Sequence, residues 1–132
     1  MARIRDLVID CRHPAPLARF WAAVLEDYRV APYDEAELAR LRAIGVDDPE
    51  DDPSVLLEPR AGGRPRIFFT AVPEPKSVKN RVHLDLDADD FAAELDRLAG
   101  LGAAQVAEHE DLVVLADPEG NEFCLVRDPA TG

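Results

Sequence analysis

A weak internal repeat constrains this chain more than any other feature. At an offset of 77 positions, Asp6-Leu-Val-Ile-Asp10 falls on His83-Leu-Asp-Leu-Asp87. Leu7 then meets Leu84, Ile9 meets Leu86 and Asp10 meets Asp87. The helical stripes behind these segments correspond as well, with Ala18, Trp21 and Val24 falling on Leu95, Leu98 and Leu101. Each half reads as a strand, a helix and two or three further strands. Two such halves in 132 residues fit one pseudo-symmetric domain better than an array of independent units.

The second half opens on the most informative stretch, Lys79-Asn-Arg-Val-His-Leu-Asp-Leu-Asp87. Val82, Leu84 and Leu86 alternate with Arg81, His83, Asp85 and Asp87, the period of a half-buried strand. One face is aliphatic, and the other carries a base, an imidazole and two acids. Asp89 and Asp90 follow as N-cap candidates for a helix. The polar face is compatible with ordinary solvation, or it lines a cleft.

The first strand is expected over 3–11, with Leu7, Ile9 and Cys11 on one face and Asp6, Val8 and Asp10 on the other. Pro14 and Pro16 suit only the first turn of a helix, where their missing N–H groups are not needed. Leu17, Phe20, Trp21, Val24 and Leu25 continue that helix at core spacing, which makes Trp21 a packing residue before a stacking platform. Residues 34–44 form a second amphipathic helix with Leu38, Leu41 and Ile44 as its stripe. It has no counterpart in the second half and reads as an insertion, a lid or a dimer contact. The acidic run Asp47–Pro53 lacks the glycine and ligand alternation of an EF-hand and reads as a solvated loop.

Strands are expected at 54–58, 66–72, 103–107, 112–116 and 122–127, with tight turns at 61–65 and 117–121. Phe68, Thr70 and Val72 share one face of their strand; Glu122, Cys124 and Val126 share one face of theirs. The helix between is carried by Phe91, Leu95, Leu98 and Leu101 and closed by Gly100 or Gly102.

A net charge of −12 argues against nucleic acid and anionic membranes as partners. No apolar run approaches the roughly 20 residues of a membrane span. The opening Met-Ala-Arg-Ile-Arg-Asp has no signal-peptide core, so the cytoplasm is the expected compartment. Cys11 and Cys124 belong to no Cys-x-x-Cys pair and are expected as free thiols. Lys76, Lys79 and Arg81 make the one local positive patch, which either neutralises nearby carboxylates or attracts an anionic ligand.

The strand–Asp10-Cys11-Arg-His-Pro14–helix order with Phe20-Trp21, the Arg81-Val-His-Leu-Asp-Leu86 strand and the closing Asp117-Pro-Glu-Gly-Asn-Glu-Phe123 together resemble the vicinal oxygen chelate superfamily, and within it the glyoxalase-like domains. The resemblance implies an α+β fold of two βαβββ modules, about 3–72 and 79–128 with a linker at 73–78, curling as an open barrel around a cleft within one domain, helices outside. It also implies a small-molecule ligand and a homodimer. Many members hold a divalent metal in the cleft, and the corresponding positions here are Asp6, Thr70, His83 and Cys124. Of these, Asp6, His83 and Cys124 are the candidate metal ligands, although the set departs from the glyoxalase pattern and the cofactor stays open. His83 is the candidate acid/base, and Arg81 a candidate partner for a ligand carboxylate. The residues themselves also allow a small apolar role for Cys124 and a hydrogen bond from His83 to Asp6 or Asp85. Two functions follow: a lyase or isomerase acting on an oxygenated or anionic metabolite, or a non-catalytic protein that sequesters a drug or antibiotic.

Overall fold

The computed structural model describes residues 1–127. Its contacts divide the chain into two compact units, Met1–Pro75 and Lys76–Gly132. The expected end of the second module, at residue 128, lies outside the described residues.

In the first unit, β1 (Asp6–Cys11), α1 (Pro14–Val24), β2 (Tyr28–Val30), α2 (Glu35–Ala43), β3 (Ser54–Pro59) and β4 (Arg66–Ala71) follow in order. The sheet runs β1-β4-β3-β2, with β1 parallel to β4 and the other pairs antiparallel. Alternation settles which side chains meet α1: Cys11, Val55, Leu57, Ile67 and Phe69 are buried, as are Leu17, Ala18 and Trp21 of the helix. Trp21 is 3% exposed with an edge-on contact to Phe20, so its role is packing. Pro14 and Pro16 sit in the first turn, as their missing donors require.

The second unit repeats the order without a counterpart of α2: β5 (Asp85–Leu86), α3 (Phe91–Leu101), β6 (Ala104–Glu108), β7 (Leu112–Ala116) and β8 (Glu122–Val126), with the sheet running β5-β8-β7-β6. First and last strands are again parallel neighbours. Leu98, Val113, Leu115, Phe123 and Leu125 form its core. Asp90 caps α3 by accepting from Ala93 N–H, and Gly102, at φ +112°, closes it in the left-handed region that disfavours a side chain. Each module is therefore βαβββ, and the two four-stranded mixed sheets with three α-helices make the protein α+β among the described residues.

Several sequence expectations are corrected. The first strand starts at Asp6, not residue 3, and Ile4 is 69% exposed. The strand expected over 79–87 pairs only at Asp85 and Leu86, extended by Cys124 N–H donating to the Leu84 carbonyl. The reason is topological. In parallel register Asp85 lies beside Cys124, so His83 would lie beside Glu122, where β8 begins; earlier residues have no strand to join. Val82 is accordingly exposed, at 79%, instead of joining Leu84 and Leu86 on a half-buried face. In α2 only Leu41 is fully buried, and Ile44 lies past the helix end, exposed. The three-residue β2 is too short to show a period. The acidic loop is less solvated than expected, because Asp52 is 2% exposed and accepts from the Tyr33 hydroxyl (2.7 Å) and Ser54 N–H (2.9 Å). No described helix is long and apolar enough to cross a membrane.

Candidate functional site

The face of β5 and β8 turned away from the second unit's buried Phe123 and Leu125 carries three chemically distinct groups. His83 and Asp85 are two apart where the chain enters β5, and their side chains meet on the same side. Cys124 is the direct cross-strand partner of Asp85. One ligand atom from each residue lies within 4.8 Å of the others. His83 Nε2 is 3.2 Å from Asp85 Oδ1, and the same carboxylate faces the Cys124 thiol across the paired strands, within 4.8 Å. Asp85 is thus the hinge of the cluster.

His83 and Asp85 expose 55% and 59% of their side chains, whereas Cys124 is buried. Burial is the main cause that raises the Cys124 thiol above its ordinary pKa of 9.0; Asp85 and Glu122 add to it and Lys79 opposes them. Left to itself, Cys124 is a neutral thiol at physiological pH. Neither cysteine is disulfide-bonded. Arg81 is exposed and has no ion-pair partner among the described residues.

The first-unit positions are differently occupied. Both Asp6 oxygens accept from Arg66, at 2.9 Å from Nε and 3.1 Å from Nη2, and the Arg66 guanidinium also lies 5.2 Å from the Phe68 ring centre. That hydrogen-bonded pair holds the Asp6 carboxyl below its ordinary value of 3.8. Thr70 shares a 3.4 Å hydroxyl contact with Ser54 and pairs with Asp10. The pairing registers also revise the repeat. Asp85 answers to Val8 at the 77-residue offset, and Val8 pairs with Phe68, so Phe68, not Thr70, matches Cys124.

These surroundings decide whether the residues suit the divalent metal that the sequence resemblance implies. In the first unit the matching positions hold a carboxylate clamped by arginine and a phenyl ring, which do not suit it. In the second unit imidazole, carboxylate and thiol converge, and three such donors are a set that zinc accepts. Sequence reasoning named His83 and Cys124 but gave Asp85 only the part of a hydrogen-bond partner. The signal was present in the shared parity of residues 83 and 85.

A separate cavity of about 310 Å³ lies in the first unit, lined in part by Arg12, His13, Glu50, Asp51 and Asp52. Two of its acids are already engaged: Glu50 in a two-pronged pair with Arg19 (2.7 and 2.8 Å), and Asp52 with Tyr33.

The repeated βαβββ modules agree with the fold of the glyoxalase/bleomycin resistance/dioxygenase superfamily. Within it, the chain belongs to the glyoxalase-like domain family, whose profile matches residues 6–126. Among solved structures it is similar to a fosfomycin resistance protein, FosX, from Mesorhizobium loti (14% identity, TM-score 0.66, covering 99% of this chain and 95% of that one). It is also similar to a glyoxalase/bleomycin resistance protein/dioxygenase family enzyme from Burkholderia phytofirmans PsJN (18%, 0.62, 96% and 98%). A bleomycin-binding protein complexed with bleomycin is a third such structure (13%, 0.52, 97% and 99%). At these identities the likeness is one of fold. No curated protein sequence gives a significant match.

Proposed function

We propose that the protein binds a small oxygenated or anionic metabolite on the His83 face of the second unit and acts on it as an isomerase or lyase, with His83 as the proton-transfer group. The observation that carries this reading is the 3.2 Å contact between His83 Nε2 and the Asp85 carboxylate. A carboxylate there favours the tautomer with hydrogen on Nε2, leaving Nδ1 as the acceptor. Asp85 also stabilises the imidazolium once the proton has moved. For isomerisation of an α-hydroxy carbonyl ligand, the proton taken from the hydroxyl-bearing carbon is returned to the former carbonyl carbon while the hydroxyl proton passes to the carbonyl oxygen through the enediol, so no further reactant is required. Arg81, two residues before His83, supplies a guanidinium that can take a ligand carboxylate through two hydrogen bonds. A divalent cation bound at this face through His83 Nε2 would displace the Nε2 proton, and Lewis-acid polarisation of a ligand oxygen would then stand in place of proton transfer by His83.

The likeness to a bleomycin-binding protein supports the second reading, sequestration without turnover. A homodimer in the cytoplasm completes the proposal, with α2 and the exposed Ile44 beyond it as added surface. The test is a calorimetric titration with 2-oxo and 2-hydroxy carboxylates and with bleomycin, each followed by an assay for turnover. Binding of a carboxylate with proton exchange at its α-carbon, lost in His83→Ala, is the expected result. Tight bleomycin binding without turnover would replace the enzyme reading with sequestration. Carboxylate binding unchanged in His83→Ala would overturn the assignment of the site.

A further inference from the structure

We infer that His83, Asp85 and Cys124 form a self-contained nitrogen, oxygen and sulfur site for a thiophilic divalent cation of the zinc type, held by the second unit alone. The inference rests on the reading of this face as the functional one and adds the class of cation it takes.

Geometry supports it first. With zinc bonds of about 2.0–2.3 Å, neighbouring ligand atoms in a tetrahedron stand roughly 3.3–3.7 Å apart. His83 Nε2 and Asp85 Oδ1 already lie at 3.2 Å, and all three donor atoms fall within 4.8 Å. The adjustment needed is on the order of 1 Å, and two of the three side chains are more than half exposed and free to make it. The sheet fixes the rest, since Asp85 and Cys124 are direct partners across β5 and β8. Exposure of His83 and Asp85 leaves the fourth position open to water or a ligand oxygen, the arrangement of catalytic and not of closed structural sites.

The donor chemistry selects the ion. Magnesium and calcium prefer all-oxygen shells, whereas a thiolate favours zinc and its softer neighbours. As the metal–sulfur bond forms, the thiol proton leaves to solvent. Asp6 takes no part, because Arg66 occupies both its oxygens.

The test uses the full chain, purified without a metal-affinity tag, stripped with chelator and titrated with cobalt(II) as the spectroscopic probe. One equivalent should bind with a thiolate-to-cobalt charge-transfer band in the near ultraviolet, displaced by zinc but not by excess magnesium. Cys124→Ser should lose the band and Cys11→Ser keep it, with circular dichroism confirming that both are folded. Asp85→Asn should weaken binding at least tenfold, and Asp6→Asn should leave it within twofold. Absence of the band in the wild type, its persistence in Cys124→Ser, or equal weakening by Asp6→Asn and Asp85→Asn would each overturn the inference. His83-dependent binding of a carboxylate to chelator-stripped protein that shows no cobalt band would overturn the cation site and leave the proposed function standing.

Discussion

Replacing Asp117 by alanine should destabilise the second unit by about 3 kcal/mol, because one buried carboxylate organises the turn that delivers β8. Asp117 is 4% exposed. Its Oδ1 accepts from the N–H groups of Glu119 (2.9 Å) and Asn121 (3.0 Å), and its Oδ2 from the Asn121 side chain (3.3 Å). Hydrogen bonds to a charged acceptor contribute at least about 1.5 kcal/mol each, so the two short ones set the figure and the longer one adds little. The backbone bond from Asp117 N–H to the Asn121 carbonyl survives the change, which keeps the loss from growing further. Asp117→Asn retains an acceptor without the charge and should cost about 1 kcal/mol. In urea, with a slope of about 2 kcal/mol per molar, alanine should lower the unfolding midpoint by about 1.5 M and asparagine by about 0.5 M, the slope unchanged. The consequence reaches the site, since Cys124 lies two residues beyond the start of β8 and native-state labelling of its thiol should accelerate in the alanine variant. A midpoint shift below about 0.3 M for Asp117→Ala would refute this account of the turn.

Three further outcomes follow from the same structure. Asp6 titrates below 3.8 when paired with Arg66, so its contribution is complete above that value and is lost as pH falls through the lower folded pKa; the difference in thermal stability between wild type and Asp6→Asn should therefore shrink under acid, measured by melts from neutral to strongly acidic pH. Leu98→Ala, at a fully buried position of α3, should cost about 2–5 kcal/mol by chemical denaturation, whereas Leu101→Ala, 37% exposed, should cost much less. Alkylation of unreduced, denatured protein should modify both Cys11 and Cys124 by mass spectrometry, and finding neither modified would contradict the free thiols of the structure.

The repeat and the strand parities made most of the fold legible from sequence, because a period of two is unambiguous when one face must be buried. Leu7, Ile9 and Cys11, and later Phe123 and Leu125, lie on the sides their alternation assigned. What escaped depended on partners. The alternation of residues 81–87 is genuine, yet a strand needs a neighbour, and β8 starts too late to pair with Arg81 or Val82. Asp52 sits in a run that looks solvated, and its burial rests on the approach of Tyr33 and Arg40 from earlier in the chain. At the site, His83 and Cys124 were visible by position, but the clamp of Arg66 on Asp6 was not. That contact joins residues 60 apart through the parallel pairing of β1 with β4, which no local pattern encodes.

The location of the site is the claim on which the rest depends, and backbone amide chemical-shift mapping during a zinc titration tests it most directly. Shifts concentrated at residues 83–86 and 122–126, with the amides around Asp6 and Arg66 unmoved, are the predicted result. Shifts concentrated instead at Arg12, His13 and residues 50–53, around the first-unit cavity, would contradict it.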